Sequence, residues 1–136
     1  MNIAAATHVS EELLTLFSDA QNAASHHRGG AAMLDSVLSS DEPESFLRNA
    51  IARNEVWIAE TDRGLVGFAL CRNHLIEAVY VDKTSRRQGI ATQLVTALMH
   101  ATTQPHDAYA LPGDRATKSF FESLGWKARL LTMRDA

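Results

Sequence analysis

Between residues 55 and 102 the hydrophobic period changes from two to about four, which limits the chain to folds that mix a sheet with packed helices. In EVWIAE, residues 55–60, Val56 and Ile58 face one way and Trp57 and Ala59 the other. TDRG is a turn, and LVGFALC, residues 65–71, is an almost continuously apolar strand, so the two runs read as a hairpin. RN makes a second turn, and HLIEAVYV, residues 74–81, a third strand. GIATQLVTALMHAT, residues 89–102, then reads as a helix. Ile90, Leu94 and Leu98 recur at four-residue steps, with Ala91 and Val95 beside them. Pro105 bars its extension.

The flanks extend this pattern. NIAAAT reads as a first strand. SEELLTLFSDAQNAA is a helix with Ser10 as N-cap and Leu13, Leu16, Phe17 and Ala20 on one face. HHRGG interrupts it, AAMLDSVL is a second helical piece, and Pro43 opens a third with Phe46, Leu47, Ala50 and Ile51 as its stripe. After the central helix, DAYAL is a short strand and PGD a turn. Asp114 caps RATKSFFESL, Gly125 suits its left-handed end, and Trp126 folds back on it. WKARLLTM is read as a last strand. The order β, helices, β-β-β, helix, β, helix, β predicts an α/β fold with a mixed sheet and helices on both faces. No repeat or linker divides residues 1–136, so one domain is expected.

A net charge of −3 and a pI near 6.0 argue against a broad nucleic-acid surface. Cys71 is the single cysteine, so no internal disulfide forms; it reads as a small buried residue. No apolar run approaches the roughly 20 residues of a membrane span, and the N-terminus lacks the pattern of a signal peptide. The expectation is a cytoplasmic protein without membrane partners.

VDKTSRRQGIATQL places Arg86 and Arg87 just before a helix that lacks a Ser, Thr, Asp or Asn cap. The first N–H groups of a helix have no intrahelical partners, and its dipole is positive at that end. Two exposed arginines there are misplaced by about 0.3–1 kcal/mol each. An anion docked on the helix start would reverse the sign of that effect, and Gly89 would let it approach the backbone. Taken alone, the stretch fits a phosphate site and a solvated basic loop about equally. It is neither a Walker loop nor a Gly-x-Gly-x-x-Gly turn.

The stretch resembles the acetyl-CoA pyrophosphate loop of the GNAT N-acetyltransferases, whose pattern is Gln/Arg-x-x-Gly-x-Gly/Ala between a strand and a helix. Arg86, Gly89 and Ala91 occupy its three positions. DRATKSFFESLGW resembles the family's second signature, Asn-x-x-x-x-x-Phe/Leu-Tyr-x-x-x-Gly-Phe, with Asp114 for Asn, Phe121 for Tyr and Gly125–Trp126 for Gly–Phe. The resemblance covers nearly the whole chain in element order. It implies a GNAT-like, mostly antiparallel central sheet, in which LIEAVYV and DAYAL are parallel strands that splay to bind acetyl-CoA.

It also implies acetyl transfer from acetyl-CoA to a primary amine of a small molecule or peptide by direct attack, without a metal. Val79, Tyr80 and Val81 would hold the pantetheine arm through strand-like pairing. Backbone N–H groups from Arg86, Arg87, Gln88, Gly89, Ile90, Ala91 and Thr92 would hold the pyrophosphate. The Val79 N–H would polarise the thioester carbonyl. Glu77, the one carboxylate in an apolar strand, is the candidate general base; on an alternating strand it shares a face with Leu75, Val79 and Val81. Phe121 cannot supply the hydroxyl that the family's Tyr offers the departing sulfur. That departure motivates a second reading, an acetyl-CoA-binding regulatory module with little or no turnover. His26, His27 and Arg28 lie in the segment that borders the acceptor in the family, although HHRGG also reads as a helix-ending surface loop. Adjacent histidines diverge and lack a third ligand at recognisable spacing, so a metal site is not expected. Family members often form homodimers, but no interface is marked here.

Overall fold

A computed structural model describes residues 1–103 and 105–135. Five strands form one sheet in chain order: β1 (Asn2–Ala5), β2 (Val56–Thr61), β3 (Gly64–Arg72), β4 (Leu75–Val81) and β5 (Asp107–Ala108). The first three pairings are antiparallel and β4–β5 is parallel. Three helices, α1 (Glu11–Ser25), α2 (Gly30–Leu38) and α3 (Pro43–Ala52), lie between β1 and β2 in sequence. Helix α4 (Ile90–Ala101) joins β4 to β5, and α5 (Arg115–Ser123) follows β5.

The strand residues divide between two cores as their pleat dictates. Val56, Phe68 and Leu70 turn to α1–α3 and meet Leu13, Phe17, Phe46 and Leu47. Ala59, Ala69 and Ile76 turn to the opposite face and meet Ile90, Leu94 and Leu98 of α4 and Phe121 of α5. Leu94 and Leu98 are 0% exposed, and burying each contributes about 1.5–3 kcal/mol. Helices therefore cover both faces, as expected. Ser10 caps α1 by accepting from the Leu13 N–H, and Asp114 caps α5 by accepting from the Thr117 N–H. Trp126 folds back as expected: its N–H donates to the Phe121 carbonyl, and its ring lies 4.9 Å from that of Phe121.

Three expectations need correction. Residues 127–135 form no strand, and Leu130, Leu131 and Met133 are 84%, 78% and 89% exposed. A strand needs a neighbour for its backbone groups, and the adjoining edge strand β5 has only two paired residues. DAYAL likewise contributes only Asp107–Ala108 as strand, because the chain leaves β4 immediately afterwards.

Strict alternation also fails at Glu77. Leu70 pairs with Ala78 but Cys71 pairs with Ile76, so Glu77 is an extra residue, a β-bulge. Ala78 and Tyr80 pack with the α1–α3 core, while Ile76, Val79 and Val81 pack with the α4 core. Glu77 bonds to Arg72, which reaches α2, so its side chain lies on the α1–α3 side. It does not share a face with Val79 and Val81.

Candidate active site

The parallel pair opens just beyond the bulge. The Asp107 N–H donates to the His74 carbonyl at 2.8 Å, and the Tyr109 N–H to the Ile76 carbonyl at 3.0 Å. Paired strand residues on this edge end at Ile76–Ala108, while β4 runs on to Val81. The Asp82 N–H donates to the Val66 carbonyl at 2.8 Å, which sets the antiparallel phase. By that alternation Ala78 and Tyr80 turn their backbone groups to β3, and Val79 and Val81 turn theirs to the open edge. The Val81 carbonyl confirms its direction by accepting from Arg86 Nε at 2.9 Å.

That edge is one wall of a cleft of about 890 Å³. At one end lies the turn between β4 and α4. Ser85 is buried and donates its N–H to the Asp82 carbonyl, forming a tight 3₁₀ turn over Lys83–Ser85. Arg86 is anchored by its bond to Val81, with its guanidinium 5.4 Å from the Tyr80 ring centre. Arg87 has φ +65° and Gly89 +76°, so the chain passes twice through left-handed conformations before the helix begins. Gly89 occupies the N-cap position of α4, and no side chain caps the first turn. A Cβ built on Gly89 meets nothing within 4 Å, so the approach to these N–H groups is open. Arg86, Arg87, Gly89, Ile90, Ala91 and Thr92 line the cleft together with Val79, Tyr80 and Val81; Gln88 does not.

The far wall comes from the segment after β5 and from α5. Tyr109, 42% exposed, and Phe121, 7% exposed, both line the cleft. Phe121 packs between Phe120 and Trp126 at 4.9 Å from each, and brings no hydroxyl.

The other end is bounded by α1, α2 and the loop between them, through Ala20, Ala23, Ala24, His27 and Met33. Glu77 stands here. Both of its oxygens accept from Arg72: Nε bonds to Oε1, and Nη2 to Oε2 at 3.0 Å. Arg72 Nη2 also donates to the Val37 carbonyl at 3.1 Å, and its guanidinium lies 5.1 Å from the Phe46 ring centre. One arginine thus ties the bulge to α2 and α3. The bond to Glu77 is the main reason the Arg72 pKa is raised. Burial pushes the nearby Glu55 carboxyl upward against the pull of Arg72 and Arg53. Burial, then the charges of Glu77 and Glu55, push the Cys71 thiol up, as suits the inert buried residue expected.

Several of these residues escaped the sequence. Arg72 has a signal in hindsight: it sits across a two-residue turn from the strand that carries Glu77. The α1 alanines carry no such signal. Of the HHRGG residues, His27 lines the cleft, whereas His26 caps α1, its Nδ1 2.6 Å from the Asn22 carbonyl.

A mixed sheet with a splayed parallel pair, an outward-turned strand edge and an uncapped helix start frames one open cleft along β4. A family model described as an acetyltransferase (GNAT) domain matches residues 52–128. The uncharacterized N-acetyltransferase YafP of Escherichia coli (strain K12) is 27% identical over 84 residues, 62% of this chain and 53% of that protein. The chain thus spans about half the length of this curated relative. The tetramutant of BH1408 from Bacillus halodurans superposes with a TM-score of 0.73 at 17% identity, covering 98% of each chain. PaiA N-acetyltransferase from Thermoplasma acidophilum, in complex with coenzyme A, does so with a TM-score of 0.64 at 14% identity, covering 95% of this chain and 92% of that one. At such identities the structural likeness shows the fold. The family match shows more: the chain belongs to the GNAT acetyltransferases. No helix among the described residues is long and apolar enough to cross a membrane.

Proposed function

We propose that this chain transfers an acetyl group from acetyl-CoA to a primary amine by direct attack. The observation that carries the reading is the opening of β4 from β5 beside an uncapped helix start, which presents backbone donors along a single cleft. The N–H groups from Arg86 to Thr92 take the pyrophosphate, with the α4 dipole and Arg87 favouring its charge. Gln88 contributes at most its backbone, since it does not line the cleft. The outward groups of Val79 and Val81, with Tyr80 between them, pair with the pantetheine arm as an added strand would.

Acetyl-CoA supplies the activated carbonyl. The amine nitrogen forms the new C–N bond, the C–S bond breaks, and CoA leaves as its thiol. The ammonium gives up two protons in all, one to the departing sulfur and one to solvent. The Val79 N–H polarises the carbonyl oxygen. Glu77 attracts the ammonium and accepts the first proton on a lone pair that Arg72 leaves free, passing it on through water. Phe121 offers the sulfur no proton, so Tyr109, which brings a hydroxyl to the same wall, or water takes that part.

The alternative, a module that holds acetyl-CoA without turnover, is motivated by Phe121. A CoA-release assay across amines and peptides separates the two. Glu77→Gln is expected to lose at least tenfold in turnover while still binding acetyl-CoA. An unchanged slow background in that variant would favour the module.

A further inference from the structure

A side chamber lies beside the cleft at the bulge. It has a volume of about 50 Å³ and lies between α1, α2 and the sheet. Ala20, Ala24, Met33, Glu77 and Ala78 line both spaces, so the two are neighbours with Glu77 among the residues where they meet. Beyond that junction the walls are apolar, formed by Phe17, Leu34, Val37, Phe68 and Leu70. Gln21 and Glu77 are the polar residues among those lining it. One water needs about 10–15 Å³ of such space, so the chamber has room for roughly three or four carbon-sized groups.

The corner that shapes it is built by close contact. A Cβ on Gly30 would stand 1.9 Å from the Ala24 carbonyl oxygen, so α2 approaches the end of α1 as only glycine permits. Arg72 closes the opposite side by joining Glu77 to the Val37 carbonyl. The carboxylate is thereby held at the mouth, with its side chain only 7% exposed.

We infer that the acceptor is a primary amine carrying a short apolar group of about three or four carbons, with its ammonium at Glu77 and its apolar group in the side chamber. The inference rests on the acetyl-transfer reading and deepens it by naming the substrate class. The carboxylate selects the cation. The walls beyond it favour hydrocarbon and penalise a second charge, because an ammonium there would meet no carboxylate and only the Gln21 amide as a polar neighbour. Small alanines at positions 20 and 24 leave the space open, whereas larger side chains would close it.

The test measures kcat/KM by CoA release for methylamine, butylamine, isobutylamine and 1,4-diaminobutane. Butylamine and isobutylamine are expected to exceed methylamine and the diamine at least tenfold, since each methylene fitted into an apolar pocket brings about 10-fold or more. Ala20→Leu, which fills the chamber, should remove that preference. Met33→Ala, which enlarges it, should shift the optimum to a longer chain. Acetyl-CoA should raise the melting temperature of both variants as in the parent, which separates misfolding from altered selection. Equal turnover of the diamine, or a chain preference unmoved by both variants, would overturn the inference and leave acetyl transfer standing. No CoA release from any amine, despite acetyl-CoA binding, would instead remove the acetyl-transfer reading and this inference with it.

Discussion

Gly89 joins a backbone requirement to an open approach at the start of α4. Its φ of +76° is a left-handed conformation that costs other residues about 1–2 kcal/mol, less for Asn or Asp. The space around it is empty, so the cost of a side chain here is backbone strain alone. Gly89→Asp should therefore fold with a slightly lowered melting temperature. Its carboxylate would cap the N–H groups and repel phosphate, so acetyl-CoA should no longer raise that temperature. Normal acetyl-CoA binding by this variant would place the phosphates elsewhere. Glu77 makes a second point at this scale. Its partner Arg72 is one side chain, yet it touches the bulge, α2 and α3 together.

Among the elements, the β4–β5 pair decides where the cleft begins. It is short, and histidines gather at its base: the rings of His74 and His106 lie 5.6 Å apart. His74 Nδ1 lies 2.6 Å from the Thr103 carbonyl, and His106 Nε2 lies 2.6 Å from Thr102 Oγ1. His106 Nδ1 is buried without a partner among the described residues. Burial, and then the charge of His74, lower the His106 pKa below its ordinary 6.5. The folded protein thus binds this proton less tightly than the unfolded chain does. The stability His106 contributes is complete above about pH 6.5 and declines as pH falls through its folded value. Urea midpoints at pH 7.5 and 5.5 should differ less for His106→Gln than for the parent. An equal acid loss in both would assign the decline to other groups.

For the whole molecule, the cleft lies where the two cores meet. Its walls come from α1, β4, the start of α4 and α5. A ligand along it touches elements from both sides of the sheet and should stabilise them together. CoA at about a hundred times its dissociation constant should add about 2.7 kcal/mol. Thermal melts across a CoA titration measure this directly, and a flat titration would contradict the assignment of the cleft. The tail does not share in this coupling: Leu130, Leu131 and Met133 remain exposed, and the sheet ends at a two-residue edge strand.

Local chemistry made much of this legible beforehand. The shift from alternating Val56–Ala59 to the four-residue steps of Ile90, Leu94 and Leu98 dictates the element order, because pleat and helix impose their own periods on what they bury. The uncapped start at Gly89, the cap at Asp114 and the fold-back of Trp126 are likewise local, each set by a few adjacent residues. Other features depend on neighbours distant in sequence. The bulge at Glu77 arises from the register against β3, and it moves that carboxylate to the α1–α3 side, where Arg72 holds it. WKARLLTM has the composition of a strand, but only a partner edge could have made it one. The alanines of α1 and Met33 of α2 became a wall of the cleft only when Gly30 let the two helices close. Periodicity and capping are properties of the chain itself; register, edges and cavities belong to pairs of segments, and packing alone decides them.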